Sequence, residues 1–256
     1  MRQELRKSRR MSEQQGLGEQ ALNKAAEVGI SSQLDAVENV DVEIKTDPLK
    51  AIQGQVDSVT IEGEGMVMQG DLRMEELDMH MSGVAINPLS AAFGKIELTK
   101  PTEASTHVVL LEADINRAFN SDFIRDKLKS QQVQVNGKPT TIEPQQVDFR
   151  LPGEGKVSLK ATVLLPETGE TKQVAFTAVP KVGADGQTVI LKDVQYGEGE
   201  ELSSELTKAL VDQTSDILNL TNFDLEGMTL KINHLQVETG KLTLEAQAHV
   251  EQIPTG

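Results

Sequence analysis

The residues best suited to chemistry are four histidines, which lie far apart in segments that have the pattern of β-strands. They are His80, His107, His234 and His249. No two of them stand at the spacing of a metal-binding motif. The sequence also contains no GxSxG elbow, no P-loop and no dinucleotide fingerprint. We therefore predict that these histidines face outward or are structural, and that the protein binds no metal and no cofactor.

Two pairs of adjacent carboxylates are the other candidates for catalysis. Glu75-Glu76 and Glu200-Glu201 are consecutive, so on a strand the two side chains of each pair point to opposite faces. An acid and a base that act on one substrate must share a face. The acidic turn Gly197–Glu201 lacks the alternating ligands and the closing glutamate of an EF-hand. The sequence therefore predicts a protein that is not an enzyme.

The composition indicates a folded, acidic protein. Of its 256 residues 38% are apolar, which is enough for a hydrophobic core. Aromatic residues make up only 3%, so platforms on which nucleic-acid bases stack are nearly absent. The net charge of −15 would also repel a nucleic acid. We predict no nucleic-acid partner and a single domain over residues 17–256, with halves at about 17–130 and 131–256.

Basic residues are concentrated at the start of the chain. Met1–Arg10 contains five of them against Glu4, a net charge of +4, namely Arg2, Arg6, Lys7, Arg9 and Arg10. We predict a disordered, solvated basic tail over residues 1–16. The alternative is contact with an anionic membrane surface, which attracts such a segment by about 1 kcal/mol per basic residue. No stretch reaches the ~20 apolar residues that span a bilayer, and no apolar signal segment follows the basic start. The sequence therefore predicts a cytoplasmic location, with peripheral contact to the cytosolic face of a membrane as an option.

The stretch Val56–Val84 has the two-residue alternation of half-buried strands. Its alternating apolar residues are Met66, Met68, Leu72, Met74, Leu77, Met79 and Met81. Between Met74 and Leu77 the apolar positions change from even to odd numbers, as they do at a bulge or bend, so the sheet should curve there. Methionine is flexible and polarisable, so a curved sheet lined by methionine suits a flexible apolar ligand. The alternative is that these methionines fill gaps in an ordinary core.

The remaining patterns predict antiparallel strands in two batches, each accompanied by a long helix. The expected elements are a helix from Leu17 to about Asn39, a strand over Val40–Ile44, two short helices over Ile115–Leu128, a meander from Val133, a helix over Leu202–Leu220, and a bulged hairpin over Met228–Val250. The predicted fold class is α+β, with strongly bent antiparallel sheets wrapped around long helices. An elongated apolar groove is expected between the sheet and a helix.

The segment DPLKAIQGQVDSVTIEGEGMVMQGDLRMEELDMHMSGV, followed by LLEADINRAF, resembles the LmeA-like phospholipid-binding family. The matching pattern includes Pro48-Leu49, Gly54, Leu72-Arg73, Gly83-Val84 and Glu112–Asn116. The resemblance implies a fold similar to the tubular lipid-binding (TULIP-like) proteins, and binding of a phospholipid by its acyl chains. Asp114 and Asn116 match the family's helix motif. We interpret them as residues that make hydrogen bonds at a helix start, and contact with a lipid head group is the alternative.

The residues and the resemblance together predict non-catalytic binding or transfer of phospholipid acyl chains in an apolar groove at a membrane surface. The residues predicted to line the groove are Met66, Met68, Met79, Met81, Val157, Leu159, Leu206, Leu210 and Ile217. A C16 acyl chain gains roughly 12 kcal/mol on leaving water, at about 0.8 kcal/mol per CH₂, but almost nothing on leaving a bilayer. One alternative is a structural or scaffolding protein whose core is fully packed. A lipid hydrolase, the third possibility, would need a polar reaction centre in addition.

Overall fold

The computed structural model of the protein describes residues 17–68, 71–87, 90, 97–128, 131–135, 137–197, 203–217 and 227–251. The basic segment Met1–Arg10 and most of the acidic turn Gly197–Glu201 lie outside these ranges. Within them the chain is mostly antiparallel sheet with few helices.

Five helices and eleven strands occur in the described residues. The helices are α1 (Leu17–Ser31), α2 (Pro48–Ile52), α3 (Glu112–Phe119), α4 (Asp122–Leu128) and α5 (Ser204–Ile217). The strands are β1 (Asn39–Lys45), β2 (Gln55–Met68), β3 (Leu72–Ala85), β4 (Thr102–Leu111), β5 (Gln131–Val135), β6 (Lys138–Gly153), β7 (Lys156–Leu165), β8 (Glu170–Val182), β9 (Val189–Tyr196), β10 (Met228–Glu238) and β11 (Lys241–Val250).

The strands form two antiparallel sheets. The first has six strands in the order β1-β2-β3-β4-β11-β10, and the second has five in the order β5-β6-β7-β8-β9. The second sheet is the meander predicted from Val133, because each strand pairs with its neighbour in the chain. The first sheet combines both ends of the chain, since β4 pairs along its whole length with β11. The bent antiparallel part of the predicted fold class is confirmed.

Helix α1 is shorter than predicted, because it ends at Ser31 instead of continuing to the start of β1. At this end the Ser32 hydroxyl donates a hydrogen bond to the Gly29 carbonyl. The N–H group of Asp35 donates to Val67 of β2 instead of to a helical carbonyl. Glycine and serine both weaken a helix, so pairing with β2 replaces the last predicted turns. With 15 residues in α1 and 14 in α5, long helices are not part of the described fold.

The β2–β3 hairpin bends where the sequence predicts a bend. Gly65 has a left-handed φ of 59° and stands opposite Glu75, while the register of the two strands continues unchanged on either side. A Cβ on Gly63 would overlap the Met66 sulfur, so these residues use the same face although they are three positions apart. Side chains three positions apart normally occupy opposite faces. The change of face at Gly65 therefore corresponds to the predicted change between Met74 and Leu77, and the sheet is strongly curled.

The closing hairpin β10–β11 contains the predicted bulge. Its register shifts between Ile232 and His234, where Asn233 is the additional residue of β10. A bulge of one residue reverses the order in which side chains alternate between faces. Leu230 before the bulge and Leu235 after it therefore point to the same face of the sheet.

Among the described residues, three clusters of buried apolar side chains hold these elements together. The first lies between α5 and the second sheet and consists of Val133, Ile142, Val147, Ala161, Val163, Val174, Leu206 and Ala209. The second lies on the first sheet and consists of Ala104, Ala248 and Val250. The third consists of Leu151, Val157 and Val237. It joins the sheets, because Leu151 and Val157 belong to the second sheet and Val237 to the first.

Candidate functional site

One face of the six-stranded sheet carries apolar side chains in three rows that cross all six strands. The strand registers place the members of a row directly opposite one another, from β1 to β10. The rows are Ile44, Val59, Met81, Ala104, Ala248 and Leu230; Val42, Ile61, Met79, Thr106, Ala246 and Ile232; and Val40, Gly63, Leu77, Val108, Leu244 and Leu235. We call this surface the apolar face. Five strand spacings of about 4.8 Å make it roughly 24 Å wide.

Most side chains of the apolar face are only partly buried. The buried members are Val42, Gly63, Ala104, Ala248 and Ile232, and the other members are half-buried. Helix α1 packs along β1 at one edge of the face. A broad apolar surface that keeps part of its area exposed is a place where an apolar partner gains contact.

The middle row contains one polar side chain, Thr106, which lies between Met79 and Ala246. Its hydroxyl oxygen is buried and has no hydrogen-bond partner within the described part of the chain. A buried hydroxyl without a partner costs about 1–3 kcal/mol. Thr106 therefore supplies a polar group in the middle of the apolar face.

The opposite face of the same sheet is polar. Together with Met79, Thr106 and Ala246 of the middle row, it lines a depression of about 450 Å³. His80 in this depression lies 3.1 Å from the hydroxyl groups of both Thr60 and Ser82, and the neighbouring strand adds His107. The described ranges contain no group of three or more His, Asp or Glu side chains that could hold a metal ion. The depression is thus the solvated side of the sheet that carries the apolar face.

An ion cluster centred on Arg73, at the start of β3, braces the bend. The Arg73 guanidinium binds the carboxylates of Glu38, Glu75 and Asp114 at 2.7, 2.5 and 2.8 Å. These hydrogen bonds, the bond to Glu38 first, raise the pKa of Arg73 above its usual value. The Asp114 side chain is only 5% exposed and also pairs with Arg117 at 3.3 Å. The cluster ties β3 to α3 and to the segment before β1.

Helix α3 closes one edge of β6 with its side chains. The Asn116 carboxamide accepts a hydrogen bond from the Phe149 N–H at 2.7 Å and donates one to the Phe149 carbonyl. One helical turn later, Asn120 makes the same pair of bonds with Val147 at 3.1 and 2.8 Å. Each carboxamide thus provides the donor and the acceptor that a neighbouring strand would provide.

Glu112, the first residue of α3, completes this arrangement at its other end. Its carboxylate accepts a hydrogen bond from the Leu151 N–H at 2.6 Å. The Glu112 N–H donates to the Gly240 carbonyl, and the Gly240 N–H donates to the Leu151 carbonyl, both at 2.9 Å. The β10–β11 turn, α3 and β6 therefore meet at this point. No side chain caps the start of α3, but Asp114 lies in its first turn and Asn116 donates a hydrogen bond to the Glu112 carbonyl at 3.1 Å, so both residues stand at a helix start as predicted. Their partners outside the helix are Arg73 and β6.

The structure divides the nine predicted groove residues among the first sheet, the second sheet and α5. Met79 and Met81 lie in the apolar face. Met66 covers Gly63 on the same face and is buried. Met68, at the end of β2, is exposed.

The other predicted groove residues belong to the second sheet and to α5. Leu159 and Leu210 pack against the buried cluster that contains Leu206. Val157 belongs to the cluster that joins the two sheets. The side chain of Ile217 lies outside the described residues. Met79 and Met81 therefore pack against the second cluster, and Leu206 and Leu210 pack in the first.

Leu206 is 3% exposed and packs inside the cluster between α5 and the second sheet. We expect Leu206→Ala to lower the free energy of unfolding by about 2–3 kcal/mol, because it leaves a cavity in a closed core. Urea denaturation measures this change. We also expect lipid uptake from liposomes to stay at the wild-type level. Loss of uptake in a folded variant would instead indicate that α5 lines the lipid groove, as the sequence predicted.

Sequence reasoning did not identify the residues that β1, β10 and β11 contribute to the apolar face. Ile44, Ile232 and Ala246 lie in runs whose two-residue alternation is visible in the sequence. Alternation shows that a strand has an apolar side, but it does not show which strand lies next to it. The missing information was the pairing of β4 with β11.

The fold and the apolar face together define a class of protein in which a curled antiparallel sheet presents a broad apolar surface. The chain belongs to the LmeA-like phospholipid-binding family, which matches residues 14–247. The resemblance seen in the sequence is therefore confirmed. This family binds lipid and is not a known enzyme family. No curated protein and no solved structure matches the chain.

The helices in the described ranges are all too short or too polar to cross a membrane.

Proposed function

We propose that the protein binds phospholipid by laying the acyl chains on the apolar face, and that it carries the lipid to or from a membrane surface without chemical reaction. The observation that carries this proposal is the set of three half-buried apolar rows that cross six strands. Membership of a phospholipid-binding family supports the choice of ligand.

The energetics of an acyl chain favour a carrier. Leaving water stabilises a C16 chain by roughly 12 kcal/mol, whereas exchange between a bilayer and an equally apolar surface is nearly neutral. Met79 and Met81 provide flexible side chains that adapt to chains of different shape. The lipid is then held firmly against loss to water and exchanges readily with a membrane.

A membrane surface is the place where such exchange occurs. The basic segment Met1–Arg10 would contribute attraction to an anionic surface, at about 1 kcal/mol per basic residue near the surface. The rest of the chain has a net negative charge, so attraction of this segment to the membrane would also orient the protein on the surface. We propose that Met1–Arg10 contacts the lipid head groups of the membrane.

Filling the middle row tests the acyl site. We expect Ala246→Trp to reduce the phospholipid that co-purifies with the protein about tenfold, because an indole there occupies space and overfilling an apolar site costs about 1–3 kcal/mol. Native mass spectrometry and lipid extraction measure the bound lipid. Gln247→Trp is the matched control, because Gln247 is the next residue of β11 and its exposed side chain lies on the polar face.

Two results would contradict the proposal. One is a wild-type protein that carries no lipid after gentle purification and takes none from liposomes. The other is equal lipid loading of Ala246→Trp and Gln247→Trp, with thermal denaturation showing that both are folded. Either result would favour a structural or scaffolding protein without a ligand.

A further inference from the structure

Helix α2 presents two large aliphatic side chains to solvent. Leu49 is 73% exposed and Ile52 is 76% exposed. They stand three positions apart on one short helix, so they project from the same side. Large side chains with this exposure lose contact with water only when a partner covers them.

The chain holds α2 in a fixed position. The Asp47 carboxylate caps it by accepting hydrogen bonds from the N–H groups of Leu49 and Lys50 at 2.9 and 3.0 Å. Pro48 occupies the first turn, where its missing N–H has no cost. After the helix, the Gly54 carbonyl accepts a bond from the Ile86 N–H at 2.7 Å. The exposure of the two side chains is therefore a built feature of this corner.

The position of α2 relates it to the apolar face. The helix connects the end of β1 to the start of β2. Next to it, the Thr46 hydroxyl links the ends of the two strands by donating a hydrogen bond to the Gln55 carbonyl at 2.8 Å. The row of the apolar face nearest to this corner begins with Ile44, Val59 and Met81. A lipid that leaves this row past β1 and β2 passes α2.

The charged residues near α2 and before α1 bear on the kind of partner that would cover Leu49 and Ile52. Lys50 pairs with Asp57 at 2.6 Å and with Asp47 at 3.7 Å, and Lys45 pairs with Glu43 at 3.0 Å, so each of these lysines has a carboxylate partner within the protein. The segment Met1–Arg10, with a net charge of +4, precedes α1 in the chain.

Helix α1 meets the corner directly. Its Asn23 carboxamide accepts a hydrogen bond from the Ile44 N–H at 2.9 Å, four residues before α2 begins. The apolar pair of α2, with α1 beside it and a basic segment earlier in the chain, has the chemistry that suits an anionic bilayer, whose surface is charged and whose interior is apolar.

We propose that α2 is a membrane-docking helix that inserts Leu49 and Ile52 into the outer layer of an anionic bilayer. This adds a docking surface to the proposed function, on which it rests for the choice of a lipid partner. Docking at this corner would bring the first row of the apolar face next to the membrane, where an acyl chain can pass between them.

Vesicle sedimentation tests the docking helix. We expect the variant with Leu49→Ser and Ile52→Ser to bind phosphatidylcholine vesicles that contain phosphatidylglycerol about tenfold more weakly than the wild type, because the two substitutions remove the inserted apolar side chains. Val28→Ser is the matched control, because Val28 is an exposed aliphatic residue of α1 outside the corner. It should bind the vesicles like the wild type.

A fluorescent reporter gives a second measurement. The chain contains no tryptophan, so Leu49→Trp provides a single probe. Its emission should shift to the blue on vesicle binding and be quenched by brominated lipid, while Val28→Trp should show neither change. Equal vesicle binding of the serine variant and the wild type, or an indole emission of the Leu49→Trp variant that vesicles leave unchanged, would overturn the docking helix.

Lipid loading separates this inference from the proposed function. Uptake of detergent-dispersed phospholipid, measured by native mass spectrometry, needs the apolar face but no bilayer. We expect the serine variant to load lipid normally in that assay. Normal loading together with unchanged vesicle binding would overturn the docking helix alone, and absent loading in the wild type would overturn the acyl site.

Discussion

Replacing Arg73 with methionine is expected to lower the free energy of unfolding by about 3–5 kcal/mol, because it leaves a buried carboxylate without its main partner. The Asp114 side chain is 5% exposed and, among the residues that the structure describes, would retain only Arg117 as an ion-pair partner, whose side chain is 52% exposed. The carboxylates of the exposed Glu38 and the half-buried Glu75 would turn to water at little cost. Urea denaturation measures the change.

The double variant with Arg73→Met and Asp114→Asn is the control for this prediction. It removes the buried charge together with its partner, so it should recover more than half of the lost stability. If Arg73→Met cost less than about 1 kcal/mol, the cluster would have the weight of an ordinary surface ion pair and would not brace the bend.

Replacing Asn116 with leucine is expected to cost about 3 kcal/mol of unfolding free energy. The substitution leaves the N–H and the carbonyl of Phe149 without partners, and an unmade hydrogen bond at a part-buried group costs about 1–3 kcal/mol. Native-state hydrogen exchange should show faster exchange of the Phe149 amide. Exchange at the β7–β8 pairs of the same sheet should change much less, because those bonds do not involve α3.

Asn116→Asp separates the two bonds of the carboxamide. The carboxylate still accepts from the Phe149 N–H but cannot donate to the carbonyl, so the loss of stability should be at least as large as one hydrogen bond. Unchanged protection of the Phe149 amide in Asn116→Leu would show that water replaces the carboxamide and that α3 does not close the edge of β6.

The strands and the bend could be predicted because their signals are local. The alternation through Met66, Met79 and Met81 identifies the hairpin, and the change between Met74 and Leu77 locates the bend. The bulge near Asn233 follows from the same kind of signal. Each depends on residues that are close in sequence, where the period of the side chains is sufficient.

The apolar face could not be predicted as a whole because its strands come from distant parts of the chain. Ala104 and Ala248 are direct neighbours only because β4 pairs with β11. Because that pairing was not known from the sequence, the apolar stripe of α5 around Leu206 was predicted to line one groove together with the methionines. Leu206 instead packs on the second sheet, next to Val163 and Val174.

Polar residues gave the least information. Asn116 and Asn120 stand one helical turn apart, which is ordinary in a surface helix. Their partners, Phe149 and Val147, contribute backbone groups that carry no sequence signal. A side chain that replaces a neighbouring strand therefore becomes visible only when the edge of the sheet is known.

The hydrogen bonding of successive α3 side chains to the backbone of β6 is limited by the different rise of a helix and a strand. Four residues of an α-helix advance about 6.0 Å, and two residues of a strand advance about 6.7 Å. The two repeats are nearly commensurate, so Glu112, Asn116 and Asn120 meet alternate residues of β6 as the helix runs antiparallel to it. The offset of roughly 0.7 Å per rung reaches about 2 Å at a fourth rung, which is more than a hydrogen bond tolerates. A helix can seal a strand edge in this way only over a short distance, and α3, which ends at Phe119, has that length.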